Sequence, residues 1–193
     1  MISVLIIRFW RCHDKEAHLR LTSGTIFEIA MLELFMFGVQ AALLGVQNAA
    51  FAVLTLLGSV YMCSTAVIDY LTGYVYCVSH FVMLLLIVIL GITQCNISLK
   101  FCILTVIFLL FLLLCEHAGA FSRGDSEYLA VSYIYFSCGT ISGFTLEYML
   151  GVMLMSALIF GIFRKCGAEK GVVAFTPIIV FSEYIMMIWF RLL

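Results

Sequence analysis

Proline occurs once in this 193-residue chain, and only 11% of the residues are charged. So few charges exclude a water-soluble domain. With 65% hydrophobic residues and a mean hydropathy of +1.19, a soluble core of this size could not hide the apolar surface. Also missing is any CxxC pair among the eight cysteines, at 12, 63, 77, 95, 102, 115, 138 and 166, so neither a zinc knuckle nor a disulfide framework is indicated. Most of them lie inside apolar runs, where a thiol behaves as a small hydrophobe. There is no internal repeat, low-complexity tract or domain-sized loop; the longest polar segments, 11–23 and 164–171, are too short to fold alone. A cleavable signal is not evident, because the apolar stretch Met1 to Trp10 is short and is followed by charges rather than small residues. The formal net charge of -1 carries no information about partners, and no nucleic acid is expected among them.

What the chain does have is a succession of apolar runs close to the roughly 20 residues a helix needs to cross a hydrocarbon core. They cover 24–46, 49–68, 74–93, 97–115, 126–143, 144–163 and 172–192. The expected fold is therefore all-α, a polytopic membrane helix bundle of about seven transmembrane helices in a single domain over 1–193. Its 14 glycines suit helices that approach closely in lipid, and Gly139 and Gly143 form a GxxxG pair. The run 126–143 is the most polar, with Ser132, Ser137, Thr140 and Ser142, whose hydroxyls can bond carbonyls of their own helix. Segment 1–10 suits a short interfacial or membrane-dipping helix. Trp10, Trp189, Tyr74, Tyr76 and Tyr148 fall near expected interfaces, where amphipathic rings are favoured.

Basic residues set the expected orientation. With the segment RCHDKEAHLR in the cytoplasm and each span reversing direction, Arg8, Arg11, Lys15, Arg20, Arg123, Arg164, Lys165 and Lys170 fall inside, and only Lys100 and Arg191 fall outside. The same topology brings Asp69, at the end of one span, and Asp125, at the start of another, to the cytoplasmic face. These are two of only three aspartates in the chain. A carboxylate at membrane depth costs roughly 2.5 to 3.5 kcal/mol even on lenient insertion scales, so an acid kept there calls for a reason.

Two carboxylates close enough to share a water carry one proton between them near neutrality. The ionised member can then act as general base on the water while the protonated one donates to a scissile carbonyl, with no metal or organic cofactor. Gly124, just before Asp125, would let a substrate backbone approach. The plainer reading makes Asp125 a first-turn acid satisfying orphan amides and Asp69 a solvated loop residue beside Thr72 and Gly73.

The segment A-F-S-R-G-D-S-E-Y-L-A, residues 120–130, resembles the GxGD motif of the type IV prepilin peptidases, which typically read G-x-G-D-V-K-L-L-A. The segment A-V-I-D-Y-L-T-G-Y-V-Y, residues 66–76, resembles their first aspartate motif, and V-V-A-F-T-P-I-I-V, residues 172–180, is similar to the proline-containing stretch of their final helix. The resemblance covers about residues 49–192 and implies a catalytic six-helix core over 49–193, preceded by an interfacial segment and extra helix in 1–48. It implies an aspartic endopeptidase of the inner membrane with Asp69 and Asp125 as the catalytic pair and Gly124, Ser122 and Arg123 supporting it. The substrate implied is a prepilin or pseudopilin with a basic leader, a small residue before the cut and an apolar helix after it. Glu127 and Glu116 would attract that leader. Departures from the pattern are Ser122 in place of the first glycine, Glu127 where lysine is common, and Leu71, Gly73, Tyr74, Tyr76 and Cys77 in place of the basic and Pro-Asn residues after the first aspartate. They bear on substrate preference, since Asp69, Gly124 and Asp125 remain. Without a CxxC-bearing insertion, the similarity is to the short, peptidase-only forms, such as those serving Flp-type pili or archaellins.

Other acids allow other readings. Glu28 and Glu33 in the first span and Glu183 in the last invite a transporter or channel that uses them as ion or proton sites. Glu28 and Glu33 lie about 140° apart around a helix and share no clean face. Glu147 falls near a span end. Glu183 could instead pair across the bundle or help position the aspartates. Cys77 and His80, three residues apart, are the elements of a Cys–His peptidase, with no orienting partner in view; His117 lies near Asp125. A non-catalytic scaffold of a pilus or secretion assembly is the third class.

Overall fold

The apolar runs fold as helices, and no strand occurs among the residues described in the computed structural model, which are 2–13, 23–45, 48–73, 75, 77–91, 99–137, 145–165 and 174–192. Among the described residues eight helices follow one another: α1 (Ile2–His13), α2 (Ser23–Leu44), α3 (Ala49–Thr72), α4 (Cys77–Gly91), α5 (Leu99–His117), α6 (Arg123–Ser137), α7 (Thr145–Lys165) and α8 (Thr176–Leu192). Seven of them match the expected spans in position. Among the described residues four, α2, α3, α5 and α7, are long and apolar enough to cross a membrane, while α4 and α8 are apolar but shorter and α6 is described over 15 residues. The GxxxG pair Gly139 and Gly143 lies outside the described residues, as do Tyr74, Tyr76, Lys15, Arg20 and Lys170.

Local chemistry sets the helix ends that matter. Asn48 accepts a hydrogen bond from the Phe51 amide at 2.8 Å and opens α3. Gly73, with a left-handed φ of 69°, closes it and donates its amide to the Asp69 carbonyl at 2.7 Å. Consequently Asp69 sits in the last turn of α3 and is buried, not in a solvated loop. Gly119 ends α5 in the same conformation, with Gly119 N on Glu116 O and Ala120 N on Cys115 O, and the chain turns there towards α6.

Helix α3 is the centre of the bundle, packed by α1, α2, α4 and α8, whereas α5 turns most of its leucines outward. Leu99, Ile103, Leu110 and Leu114 are all exposed, an apolar surface suited to contact with lipid. Helix α1 lies against α2 and α3 with its first amides, Ile2 N and Ser3 N, bonded to the Glu33 carboxylate at 3.2 and 3.0 Å. Beside it an apolar cavity of about 570 Å³ between α1, α3 and α4 includes Leu5, Val60 and Met83 in its walls and contains neither aspartate.

The interior also holds a polar lattice. Tyr135 donates to Gln40 Oε1 at 2.8 Å, Gln40 Nε2 donates to the Tyr184 hydroxyl at 2.7 Å, and Tyr184 donates to the Met36 carbonyl. Gly58 of α3 makes room for it, because a Cβ there would fall 2.4 to 2.6 Å from the Tyr135 ring and hydroxyl. Gly58→Ala is expected to displace Tyr135 from Gln40 and destabilise the bundle by about 1 to 3 kcal/mol, as overpacking does. A lowered melting temperature in detergent would show it; an unchanged one would mean that the tyrosine relaxes without loss.

Candidate active site

Three helix ends and one loop converge at one end of the bundle: the last turn of α3, the first turns of α6 and α8, and the loop from α5. In the α8 turn, Pro177 occupies a position whose missing N–H would be an orphan anyway, while Ile178 and Ile179 already bond the Phe175 carbonyl. The free amide of Thr176 points at α3 and donates to Asp69 Oδ2 at 3.0 Å. The hydroxyl of the same threonine donates to Asp125 Oδ1 at 3.2 Å. One residue therefore binds both aspartates, one through its backbone and one through its side chain, and both carboxylates are 6% exposed.

Asp125 is further held by Ser122. The serine hydroxyl donates to Asp125 Oδ2 at 2.6 Å, the serine amide approaches the same oxygen at 3.3 Å, and the Asp125 amide returns to Ser122 Oγ at 3.2 Å. This is a capping box at the start of α6, with aspartate in the acidic position. Ser122, the departure from the glycine of the GxGD pattern, is the residue that starts the helix and fixes the acid. The loops are pinned by rings one position earlier: Phe121 stacks on Phe175 at 5.7 Å, and Phe160 of α7 meets Phe175 edge-on at 5.3 Å.

Gly124 packs in the first turn of α6 against Val75, whose Cβ would lie 3.0 Å from a Cβ at Gly124. The room left by the missing side chain is filled by the α3–α4 connection. Arg123 is exposed and pairs with Glu127 one turn on, at 2.8 Å, which pushes its pKa up; Glu116 adds to this from α5. The two acids expected to attract a basic leader do share this end of the bundle, with Arg123 offsetting part of their charge. Beside Asp69 a cavity of about 360 Å³ opens between α3, α7 and α8, lined also by Tyr70, Gly73, Phe163, Ala174, Pro177 and Ile178. Asp125 does not line it.

The remaining acids do not converge. Glu28 and Glu147 are exposed, Glu33 holds the start of α1, and Glu183 is fully buried with Oε2 accepting from Tyr128 at 2.6 Å. Cys77 is exposed beside Glu127, whereas His80 is buried with Nδ1 2.6 Å from the Tyr61 hydroxyl, so the two do not form a nucleophile and base. Among the described residues, no group of three His, Cys, Asp or Glu side chains is placed to hold a metal ion. Thr176 is the site residue that spacing did not single out. Its signal was the Thr-Pro pair opening an apolar run, a helix-start pattern whose hydroxyl and amide point to different neighbours.

Comparison with known proteins finds no matching family model, no similar curated protein and no similar solved structure.

The capping box makes a graded prediction. Ser122→Ala should destabilise the start of α6 by about 1 kcal/mol, and Ser122→Gly by only a few tenths. Equal losses for the two in thermal unfolding would show that the hydroxyl does not act as a cap.

Proposed function

We propose that the protein is a membrane aspartic endopeptidase in which Asp69 and Asp125 act as one catalytic pair. The observation that carries this reading is the double use of Thr176, whose amide and hydroxyl hold the two carboxylates to the same residue. Two carboxylates held to one residue repel each other when both are ionised, and in this proposal the pair works with one shared proton. The ionised acid takes a proton from water as it attacks the peptide carbonyl, and the protonated acid donates to the carbonyl oxygen; collapse of the tetrahedral intermediate expels the amine and returns the pair to one proton.

In this proposal the substrate enters by the cavity that opens beside Asp69 and passes on to Asp125 on the far side of Thr176, and the site faces the cytoplasm. Its preferred substrate is a single-span protein of the prepilin type, with a basic leader drawn towards Glu116 and Glu127 and an apolar helix that stays in the bilayer. The resemblance of residues 66–76, 120–130 and 172–180 to prepilin peptidases supports the substrate class; the geometry supports the pairing of the acids. A transport reading asks for glutamates that meet, and Glu28, Glu33 and Glu183 each face a different environment.

The test is cleavage of a reporter carrying a basic leader, a glycine at the junction and an apolar helix, reconstituted with the protein in liposomes. Asp69→Asn and Asp125→Asn should each lower kcat by about 10²- to 10⁴-fold, the range of acid–base catalysis, with the protein still folded. Full activity in either variant would remove the dyad from the mechanism.

A further inference from the structure

Asp125 and Thr176 come from helices that have other neighbours. Helix α6 packs mainly on α4 and α5, and α8 on α7 and α3. The 3.2 Å bond between their first turns therefore depends on something that fixes α6 and α8 relative to each other. Among the described residues a second side-chain bond joins them, deeper in the bundle: Tyr128 Oη to Glu183 Oε2, 2.6 Å. Tyr128 lies one turn beyond Asp125 and Glu183 two turns beyond Thr176, so each shares a helix face with its site residue.

The surroundings make this bond rigid. The Tyr128 ring is fully buried and stacks on Tyr61 of α3, with centroids 5.6 Å apart and planes 12° from parallel; His80 of α4 meets it edge-on. Tyr61 is in turn held by His80 through its hydroxyl. Tyr148 of α7 donates to the Glu183 backbone carbonyl at 2.8 Å. One ring thus touches the helices that carry Asp69 and Asp125, and its hydroxyl reaches the helix that carries Thr176. Glu183 is fully buried; its Oε1 and the buried Ser132 hydroxyl of α6 make no bond of good geometry, although the hydroxyl lies close enough to act on the carboxylate.

We infer that Tyr128 and Glu183 are positioning residues, a strut that sets the register of α6 against α8 and so holds both aspartates on Thr176. The inference rests on the dyad reading for its catalytic consequence, but the geometric part stands independently. It gives the buried glutamate a role as hydrogen-bond acceptor at a fixed place, with no part in proton transfer.

The experiment uses the full-length protein in detergent and two readouts. The first is kinetic, on the basic-leader reporter. Tyr128→Phe and Glu183→Met should each lower kcat by about 10- to 100-fold, the effect of a misplacement near 1 Å, with KM unchanged. The double variant should be no worse than either single one, because both remove the same link. Glu183→Gln, whose amide oxygen still accepts from Tyr128, should restore most of the activity. The second readout needs no activity: Asp125→Cys with Thr176→Cys is oxidised and the 125–176 disulfide is followed by mass spectrometry, which leaves the native cysteines in place. Adding Tyr128→Phe or Glu183→Met should slow that cross-link severalfold, and adding Glu183→Gln should not.

Melting temperatures separate position from stability. A kcat loss in Glu183→Met at an undiminished melting temperature supports the strut, whereas losses that only track unfolding overturn it. Wild-type kcat in Tyr128→Phe and Glu183→Met, or a Glu183→Gln variant as inactive as Glu183→Met, would also overturn it. If the wild type fails to cleave the reporter, the peptidase proposal falls, and the cross-link alone decides the strut.

Discussion

The first turn of α8 is the constraint on which the site depends. A helix start leaves amides without partners, and burial makes each of them costly, by about 1 to 3 kcal/mol. Thr176 resolves this by giving its amide to Asp69 on α3, and it uses its hydroxyl to reach Asp125 on α6. Three helices that are distant in sequence meet in two hydrogen bonds. Pro177 helps, because it removes one amide that would otherwise need an acceptor. Phe121 and Phe175 close the contact from the loop side and keep the two helix starts in register.

Each aspartate consequently answers two descriptions at once. Asp125 is the acid of a capping box, and Asp69 is a cap supplied to α8 by another helix. Capping and catalysis are not alternatives here. An acid used as a cap is held in place by amides and a hydroxyl, which is the preorganisation a reacting carboxylate requires. The same economy extends inward along the bundle, where polar residues of α2, α6 and α8 bond one another across the core rather than their own backbones alone. In surroundings this apolar, such bonds fix which helices are neighbours more than they add to stability.

Much of the fold was legible because apolar runs of helical length leave little choice of secondary structure; the ends at Asn48, Gly73 and Gly119 came from the structure. Asp69 and Asp125 could be singled out because acids are scarce and both fall at span ends. Four features were not legible. The dual role of Thr176 depends on which helices pack together, and no local pattern encodes that. Ser122 was read as a departure from a motif glycine that bears on substrate preference, yet Ser-x-x-Asp is a helix start in its own right. Gly124 looked like an opening for substrate, but Val75, from a part of the chain about 50 positions earlier, fills the space. The partner of Glu183 was likewise hidden, since a tyrosine 55 residues away becomes a neighbour only through tertiary structure.

The central claim is that Asp69 and Asp125 adjoin each other at one end of the bundle. The most direct measurement is chemical cross-linking of the Asp69→Cys, Asp125→Cys double variant in native-like lipid with a short thiol-reactive linker, read by mass spectrometry, with Asp69→Cys, Glu147→Cys as the control pair. The account predicts rapid joining of 69 to 125 and none of 69 to 147. Two cysteines that each react with the linker but are never joined would contradict it.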